Sequence, residues 1–233
     1  MRTIGLIGSG QIGGTVARLA IDAGYDVVLS NRRGPETLKG LADELGPHAR
    51  AGTTAEAATA GDLVVVTVPL AAVDQIPAEP LRGTVVIDTC NYYPQRDGQI
   101  TELDDESTTT SELVQRHLPG SSVVKAFNNI SYVHLLELAR PSDSRERSVL
   151  PIAGDDDEAK TAVSMFLDRI GYDAYDAGVL SEGWRFQRDT PAYVAPYNGD
   201  TSGTWPPPPG SGNRITAEAM QERLGAAQRY REM

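Results

Sequence analysis

The segment Gly8-Ser9-Gly10-Gln11-Ile12-Gly13 has the spacing G-x-G-x-x-G and lies between a strand pattern and a helix pattern. The apolar run Thr3–Ile7 predicts a strand, and residues 12–23 carry apolar side chains at helical spacing. Gly24 ends this helix, and Asp26–Ser30 predicts the next strand. In this context the three glycines predict a dinucleotide-binding βαβ unit, in which the pyrophosphate lies at the helix N-terminus. A glycine-rich turn without a ligand is the alternative.

The end of the second predicted strand distinguishes the two nicotinamide dinucleotides. An NAD-binding unit places an acidic residue about 20 positions after the glycines, where it accepts a hydrogen bond from the ribose 2′-hydroxyl. Here that place reads Ser30-Asn31-Arg32-Arg33, and the next carboxylate is Glu36. Guanidinium, amide and hydroxyl groups suit a 2′-phosphate, so this turn favours NADP(H). The alternative interpretation is a solvated basic turn.

The rest of the first 178 residues alternates between strand and helix patterns, which predicts a Rossmann fold of the α/β class with a doubly wound, mostly parallel sheet. The valine-rich run at 62–68 is typical of a strand that is buried on both faces. The other predicted strands are 49–51, 84–87, 123–127, 149–153 and 172–175. The further predicted helices are 35–45, 54–60, 111–118, 132–139 and 155–170.

The alternation stops near Gly178, and the chain is predicted to divide there. Residues 1–178 form the expected NADP(H)-binding domain, and residues 179–233 form a small irregular C-terminal extension, or lid. Within the extension, 189–197 is predicted to be extended and the four prolines 206–209 to form a stiff arm. Residues 216–231 predict a terminal helix with Thr216 as its N-cap.

Composition and charge exclude several classes of protein. The formal net charge of −11 disfavours a nucleic-acid partner. One cysteine, Cys90, and three histidines without ligand spacing predict no bound metal. No apolar run approaches about 20 residues, the length of a helix that crosses a bilayer. We therefore expect no membrane association. The N-terminus lacks signal-peptide features, so we expect a cytoplasmic protein. Because the extension is polar and proline-rich, it should pack on the first domain or on a second subunit, and we expect a homodimer.

The later strand ends are expected to line the nicotinamide half of the site, because ligands bind at the carboxyl ends of parallel strands. Thr67-Val68-Pro69-Leu70 ends one strand, Asn91 follows the next, and Ala126 and Asn128 follow a third. The expected cofactor-binding residues are Gly8, Ser9, Gly10, Gln11, Ile12, Gly13, Ser30, Asn31, Arg32, Arg33, Thr67, Val68, Pro69, Leu70, Asn91, Ala126 and Asn128.

No catalytic dyad stands out at this edge. The candidates for a proton donor beside the hydride acceptor are Asp88, Cys90, Tyr92, Tyr93 and Lys125. Three of the five have a structural alternative: Asp88 could cap a loop, Cys90 could be a small buried apolar residue, and Lys125 could form a structural ion pair.

Residues 5–14 (GLIGSGQIGG), 30–34 (SNRRG), 67–70 (TVPL) and 123–128 (VVKAFN) together resemble the NADPH-binding reductases related to coenzyme F420-dependent NADP oxidoreductase. The likeness covers about residues 1–178, and similar domains occur in metalloreductases that pass electrons from NADPH to a flavin. The resemblance implies a Rossmann fold, NADP(H), and direct hydride transfer to a deazaflavin ring, catalysed mostly by positioning. The family pattern implies NADP(H) contacts from Gly10, Gln11, Ile12, Asn31, Arg32, Arg33, Val68 and Pro69.

Two regions depart from the family pattern: the loop 91–103, which includes Arg96 and Asp97, and the chain after Gly178. Both should border the pocket of the second substrate, so three hypotheses for function stay open. The first is hydride exchange between NADP(H) and coenzyme F420. The second is an NADPH-dependent reductase of a small imine, ketone or flavin. The third is a binding protein that senses NADP(H) through a partner.

Overall fold

A mostly parallel sheet forms because short apolar strands alternate with helices along the chain, as the sequence predicts. The computed structural model describes residues 2–199 and 203–229, and within them eight strands lie in the order β3-β2-β1-β4-β5-β6-β7-β8. All neighbouring strands are parallel except β6 and β7, which are antiparallel. The strands are β1 (Thr3–Ile7), β2 (Asp26–Ser30), β3 (Ala49–Ala51), β4 (Leu63–Val66), β5 (Val85–Asp88), β6 (Ser122–Lys125), β7 (Ser148–Gly154) and β8 (Tyr172–Asp176).

Helices cover both faces of this sheet. Within the described residues they are α1 (Gln11–Asp22), α2 (Lys39–Leu45), α3 (Thr54–Ala60), α4 (Pro94–Asp97), α5 (Thr101–Asp104), α6 (Thr110–His117), α7 (Tyr132–Glu137), α8 (Asp157–Arg169) and α9 (Ala217–Gly225). Strand β4 illustrates the two cores: Leu63 and Val65 pack with α1 and α8, whereas Val64 and Val66 pack with α3 and α6. The predicted doubly wound, mostly parallel Rossmann fold is therefore confirmed.

Several element boundaries differ from the predicted ones. The helix expected at 35–45 begins as a 3₁₀ turn, Pro35–Leu38, before α2. Strand β4 is shorter than the valine run because the Asp62 carboxylate accepts hydrogen bonds from the backbone N–H groups of Arg2 and Thr3. The loop after β5 contains two short helices, α4 and α5, that the sequence pattern did not predict.

The C-terminal extension lies against the β6–β7 side of the sheet. The 3₁₀ helix Leu180–Phe186 packs on β6 and β7, and α9 packs on β7. Tyr197 is fully buried, and its hydroxyl donates to the Val149 carbonyl at 2.9 Å. These contacts join most of the extension to the same core as the sheet.

Two predictions for the extension need correction. Residues 189–197 are not extended: they form turns and the 3₁₀ helix Ala195–Tyr197, because backbone turns at Asp189 and Val194, both with positive φ, reverse the chain. The terminal helix ends at Gly225, so it is shorter than predicted, and residues 230 and 231 of that prediction lie outside the described residues. Thr216 does cap it, accepting from the Ala219 N–H.

The arm consists of residues 203–213. A short segment after its prolines anchors it to the rest of the chain. Asn198 and Gly212 form an isolated β-bridge that closes its base. The Glu137 carboxylate on α7 accepts hydrogen bonds from the N–H groups of Gly210 and Gly212, each at 3.1 Å. The arm therefore lies along α7, beside the carboxyl ends of the strands. Every helix in the described part of the chain is too short or too polar to cross a lipid bilayer.

Candidate active site

Two adjoining clefts lie at the carboxyl ends of the central strands. The first, of about 480 Å³, is lined by Gly8–Gly10 after β1, Asn31–Arg33 after β2 and Thr67–Pro69 after β4. The second, of about 410 Å³, shares Gly10, Thr67–Pro69 and Arg96 with the first and continues along the ends of β5 and β6. Because β1 lies between β2 and β4 in the sheet, the clefts meet at the topological switch point, where open α/β sheets bind ligands.

The glycine loop brings the N-terminus of α1 to this point. A Cβ at Gly13 would lie 2.2 Å from the Gly8 carbonyl oxygen, so only glycine lets α1 approach β1 this closely. A Cβ at Gly10 would meet no protein atom within 4 Å, so its open side faces the cleft. No side chain caps α1 at Gly10. The uncapped N–H groups and the helix dipole make this turn suitable for a phosphate.

The basic turn after β2 presents two exposed arginines. Within residues 2–199 and 203–229, no carboxylate forms an ion pair with Arg32 or Arg33. Asn31 shapes the turn instead: its Oδ1 accepts from the Arg33 N–H at 2.8 Å, and its Nδ2 donates to Thr37. In a chain of net charge −11, two unpaired guanidiniums at the cleft edge favour an anionic ligand.

Some predicted cofactor residues have structural contacts instead. The Ser30 hydroxyl is buried and donates to the Leu6 carbonyl at 2.7 Å, so it does not face the first cleft. Leu70 and Ala126 are buried in the apolar core, and neither lines a cleft. Gly13 lies behind the loop and acts through packing. The remaining predicted cofactor residues line one cleft or both.

The floor of the second cleft is a hydrogen-bonded loop between the ends of β5 and β6. Asn91 Nδ2 donates to the Asn128 carbonyl at 2.7 Å, and Asn128 Nδ2 donates to Asn91 Oδ1 and to the Phe186 carbonyl. Asn128 Oδ1 is buried and has no hydrogen-bond partner within the described part of the chain. The Cys90 thiol donates to the Val68 carbonyl at 3.3 Å, which ties this loop to the end of β4.

An ion pair lies buried beneath that floor. Lys125 Nζ donates to the Cys90 carbonyl at 2.9 Å, to Thr110 Oγ1 at 3.0 Å and to Asp88 Oδ2 at 3.4 Å. Asp88 also accepts from the Ser111 hydroxyl and the Cys90 N–H. Both side chains are at most 1% exposed and neither lines a cleft, so their contacts are those of a structural pair.

Cys90 lines the second cleft but is not suited to act as a nucleophile. Burial, reinforced by the Asp88 carboxylate, raises the pKa of the Cys90 thiol well above its usual range. The thiol therefore stays protonated at neutral pH, and its reactivity is low because only the thiolate is a good nucleophile.

The two adjacent tyrosines after β5 point to different places. The Tyr92 hydroxyl donates to Asp104 and accepts from the Ile100 N–H, and Tyr92 lines a separate cavity rather than the cleft. Tyr93 lines the second cleft, and its hydroxyl lies 2.6 Å from the Tyr193 hydroxyl. Among the five candidate proton donors, only Cys90 and Tyr93 line the second cleft.

The outer wall of the second cleft comes from residues outside the predicted cofactor-binding set. Tyr193, Val194 and Trp205 of the extension line it, as do Thr89, Phe127, Ile130, Ser131 and Tyr132 after β5 and β6. Trp205 is 65% exposed at the cleft edge. The available signal was position: Phe127–Tyr132 directly follow a predicted strand end. The chain after Gly178 was expected at this pocket, but no local pattern indicates which of its residues line it.

Arg96 holds the loop that carries Tyr93. Its guanidinium donates to both oxygens of Asp97 and to the Asn91 carbonyl, and Asp97 accepts from the Tyr93 N–H. Although burial opposes it, hydrogen bonding from Arg96 and Tyr93 lowers the pKa of the Asp97 carboxyl. Residues 2–199 and 203–229 contain no group of three or more His, Cys, Asp or Glu side chains that could hold a metal ion.

Comparison with known proteins agrees with this arrangement. Residues 3–92 match the family model described as NADP oxidoreductase coenzyme F420-dependent, which confirms the predicted resemblance. The F420-dependent NADP reductase of Methanothermobacter marburgensis is 28% identical over 211 residues, a match that covers 83% of this chain and 91% of that protein.

Two further relatives cover different shares of their own length. Metalloreductase STEAP3 of Rattus norvegicus is 29% identical over 180 residues, which is 76% of this chain but only 34% of that protein, so this chain spans about a third of its length. The crystal structure of hypothetical protein SMa0349 from Sinorhizobium meliloti is 26% identical with a TM-score of 0.72, and covers 83% of this chain and 94% of that one.

The buried ion pair can be tested by removing its cation. We expect Lys125→Met to lower the free energy of unfolding by about 3–5 kcal/mol, because it leaves the Asp88 carboxylate buried without its cation. Urea unfolding followed by circular dichroism measures the change. Lys39→Met, the same substitution at an exposed position on α2, should stay within about 0.5 kcal/mol of wild type. A loss below about 1 kcal/mol for Lys125→Met would contradict the structural role.

Proposed function

We propose that this chain, whose residues 3–92 match the family model described as NADP oxidoreductase coenzyme F420-dependent, transfers hydride between NADP(H) and the deazaflavin coenzyme F420. The observation that carries the proposal is that the two clefts adjoin and share Gly10, Thr67–Pro69 and Arg96. A dinucleotide with its pyrophosphate at Gly10 can reach the unpaired Arg32 and Arg33 at one end and the second cleft at the other. Such a ligand would deliver its nicotinamide beside the space left for a second ring.

The residues of the first cleft fit NADP(H). Gly10 has open space where a side chain would otherwise fill the cradle, and the α1 N-terminus faces it without a side-chain cap. We assign the pyrophosphate to Ser9, Gly10, Gln11 and Ile12, and the 2′-phosphate to Arg32 and Arg33 with Asn31 shaping the turn. Thr67, Val68 and Pro69 would line the path to the nicotinamide, and the unpartnered Asn128 Oδ1 with Asn91 marks polar recognition at its far end.

The second cleft supports a flat acceptor. Aromatic side chains dominate its outer wall, where Tyr93, Tyr193 and the exposed Trp205 offer ring surfaces. When bound, NADPH supplies the hydride. The chain supplies position and orientation, which can contribute much of the rate enhancement when two reactants are held in contact.

Direct hydride exchange tests this function. We expect the protein, mixed with NADPH and oxidised F420, to bleach the deazaflavin absorbance, and reduced F420 with NADP⁺ to restore it. Oxidised flavin, small ketones and small imines serve as alternative acceptors in parallel assays, each followed by NADPH absorbance.

The pattern of results discriminates the three functional hypotheses. Exchange with F420 at a rate well above that with the other acceptors supports the proposal. Faster reduction of a flavin, ketone or imine would replace it with the second hypothesis. Tight NADPH binding without oxidation by any acceptor would contradict both enzyme hypotheses and favour an NADP(H)-sensing role.

The assignment of the 2′-phosphate is tested separately. We expect Arg32→Ala combined with Arg33→Ala to weaken NADPH binding by about 100-fold or more, since two hydrogen bonds to a charged group are lost and each contributes about 1.5–3 kcal/mol. NADH binding should change by less than about threefold. Arg145→Ala removes an exposed guanidinium elsewhere and should alter neither affinity. Titration calorimetry with both dinucleotides measures these constants, and an equal loss for NADPH and NADH would contradict the assignment.

We further propose that the protein is a cytoplasmic homodimer that binds no nucleic acid. The acidic net charge supports the last point. Leu136, Met165 and Val179 are exposed large apolar side chains in the described part of the chain that a subunit contact could cover. Sedimentation equilibrium should give twice the mass of one chain at micromolar concentration, and a monomer mass would contradict the dimer.

A further inference from the structure

The Tyr93–Tyr193 pair joins two distant parts of the chain at the second cleft. Tyr93 follows β5, whereas Tyr193 belongs to the extension, and their hydroxyl oxygens lie 2.6 Å apart. Both residues line the cleft. The pair therefore places two phenol groups where the acceptor of the proposed reaction would lie.

The Tyr93–Tyr193 pair has one O–H proton that its own hydrogen bond does not use. Each phenol carries one proton, and the shared hydrogen bond uses one of the two. Within residues 2–199 and 203–229, neither hydroxyl makes another hydrogen bond. The phenol that accepts the shared bond thus keeps an O–H whose proton is available to a group in the cleft.

Two arginine side chains hold the Tyr93 ring in place. The guanidinium carbons of Arg96 and Arg188 lie 4.8 and 5.3 Å from the centre of the Tyr93 ring, a distance suited to cation–π attraction. These two cations also form ion pairs with Asp97 and Asp189. The charges that face Tyr93 are therefore two guanidiniums, each balanced by a carboxylate.

A strained turn positions Tyr193. Val194 has φ 56° and ψ −51°, and the Ala195 N–H donates to the Tyr193 carbonyl at 2.5 Å, which is the pattern of a γ-turn with positive φ. Such a conformation is rare and strained in a β-branched residue. The Val194 N–H donates to the Asn129 carbonyl at 2.8 Å and fixes the turn against the loop after β6.

We propose that the Tyr93–Tyr193 pair is the catalytic proton donor of the reductive direction, delivering its outward proton to the ring nitrogen of the acceptor that gains negative charge. This inference rests on the proposed hydride transfer to a deazaflavin. One C–H bond breaks on the dihydronicotinamide, which is oxidised, and one C–H bond forms on the deazaflavin ring, which takes both electrons. The pair's O–H bond breaks as the N–H bond forms, and solvent returns a proton to the pair.

Burial, and then the hydrogen bond with Tyr93, raises the pKa of the Tyr193 phenol well above its usual range. The Tyr193 phenol therefore stays protonated at neutral pH. Because a raised pKa also weakens an acid, the proton-donor role rests on the position of the pair in the cleft.

Hydroxyl deletion tests the pair. We expect Tyr93→Phe and Tyr193→Phe each to lower the rate of F420 reduction about 10- to 100-fold, near the lower end of typical general acid catalysis. The double variant should be no slower than the slower single variant, because residues that act as a unit are not additive. NADPH affinity should be unchanged and reports folding. Tyr175→Phe, on β8 away from the cleft, is the matched control and should retain wild-type rates.

Two readouts separate proton donation from a structural effect. Small buffer acids should accelerate Tyr193→Phe and Tyr93→Phe but not wild type, since an external acid replaces the missing one. In the inactive complex of protein, NADP⁺ and oxidised F420, the hydrogen bond should shift the deazaflavin absorption band in wild type, and both variants should lose that shift.

The outcomes distinguish this inference from the function on which it rests. Wild-type hydride exchange with unchanged rates and an unchanged absorption band in both variants would overturn the proton-donor role and leave the proposed function standing. Absence of exchange in wild type would overturn both. If Tyr193→Phe binds no NADPH because it misfolds, Tyr93→Phe alone decides the result.

Discussion

The close contact between Gly8, Gly13 and Thr67 is the constraint on which the cleft depends. Thr67 Oγ1 donates to the Gly8 carbonyl at 2.5 Å, and a Cβ at Gly8, where φ is +100°, would lie 2.6 Å from the Thr67 carbonyl oxygen. The ends of β1 and β4 and the start of α1 therefore meet around the Thr67 hydroxyl, with no room for a side chain at Gly8 or Gly13. Any larger residue would separate α1 from the sheet and move its free N–H groups away from the switch point.

A second constraint lies further along the sheet, between the ends of β5 and β6. Lys125 on β6 contacts the carbonyl of Cys90 and the first turn of α6, so it fixes the loop that carries Asn91 and Tyr93. Burying a charge is costly, and an apolar replacement for a whole ion pair is often as stable. We attribute this pair to its geometry: its donors hold a polar loop in one conformation where an apolar core would leave backbone carbonyls unpaired.

The sequence predicted what local chemistry determines. The turn after β2 was recognisable because Arg32 and Arg33 occupy the place of an expected carboxylate, and the sheet because apolar strand patterns alternate with helix patterns. The pairing of Tyr93 with Tyr193 was not predictable, since the residues are 100 positions apart and the turn at Val194 follows from tertiary contacts. Ser30 was assigned to the ligand by position, but its hydroxyl satisfies the Leu6 carbonyl on the neighbouring strand.

Under the proposed function, the specificity for the acceptor depends in part on the C-terminal extension. The first cleft is built entirely from the chain before residue 97, whereas Tyr193, Val194 and Trp205 of the extension contribute to the second. Changes in the extension can therefore alter the acceptor without moving the glycine loop or the basic turn. A reductase fold with one constant dinucleotide site can in this way acquire different acceptors, because the wall that contacts the acceptor is a separate segment anchored by its own hydrogen bonds to α7 and β7.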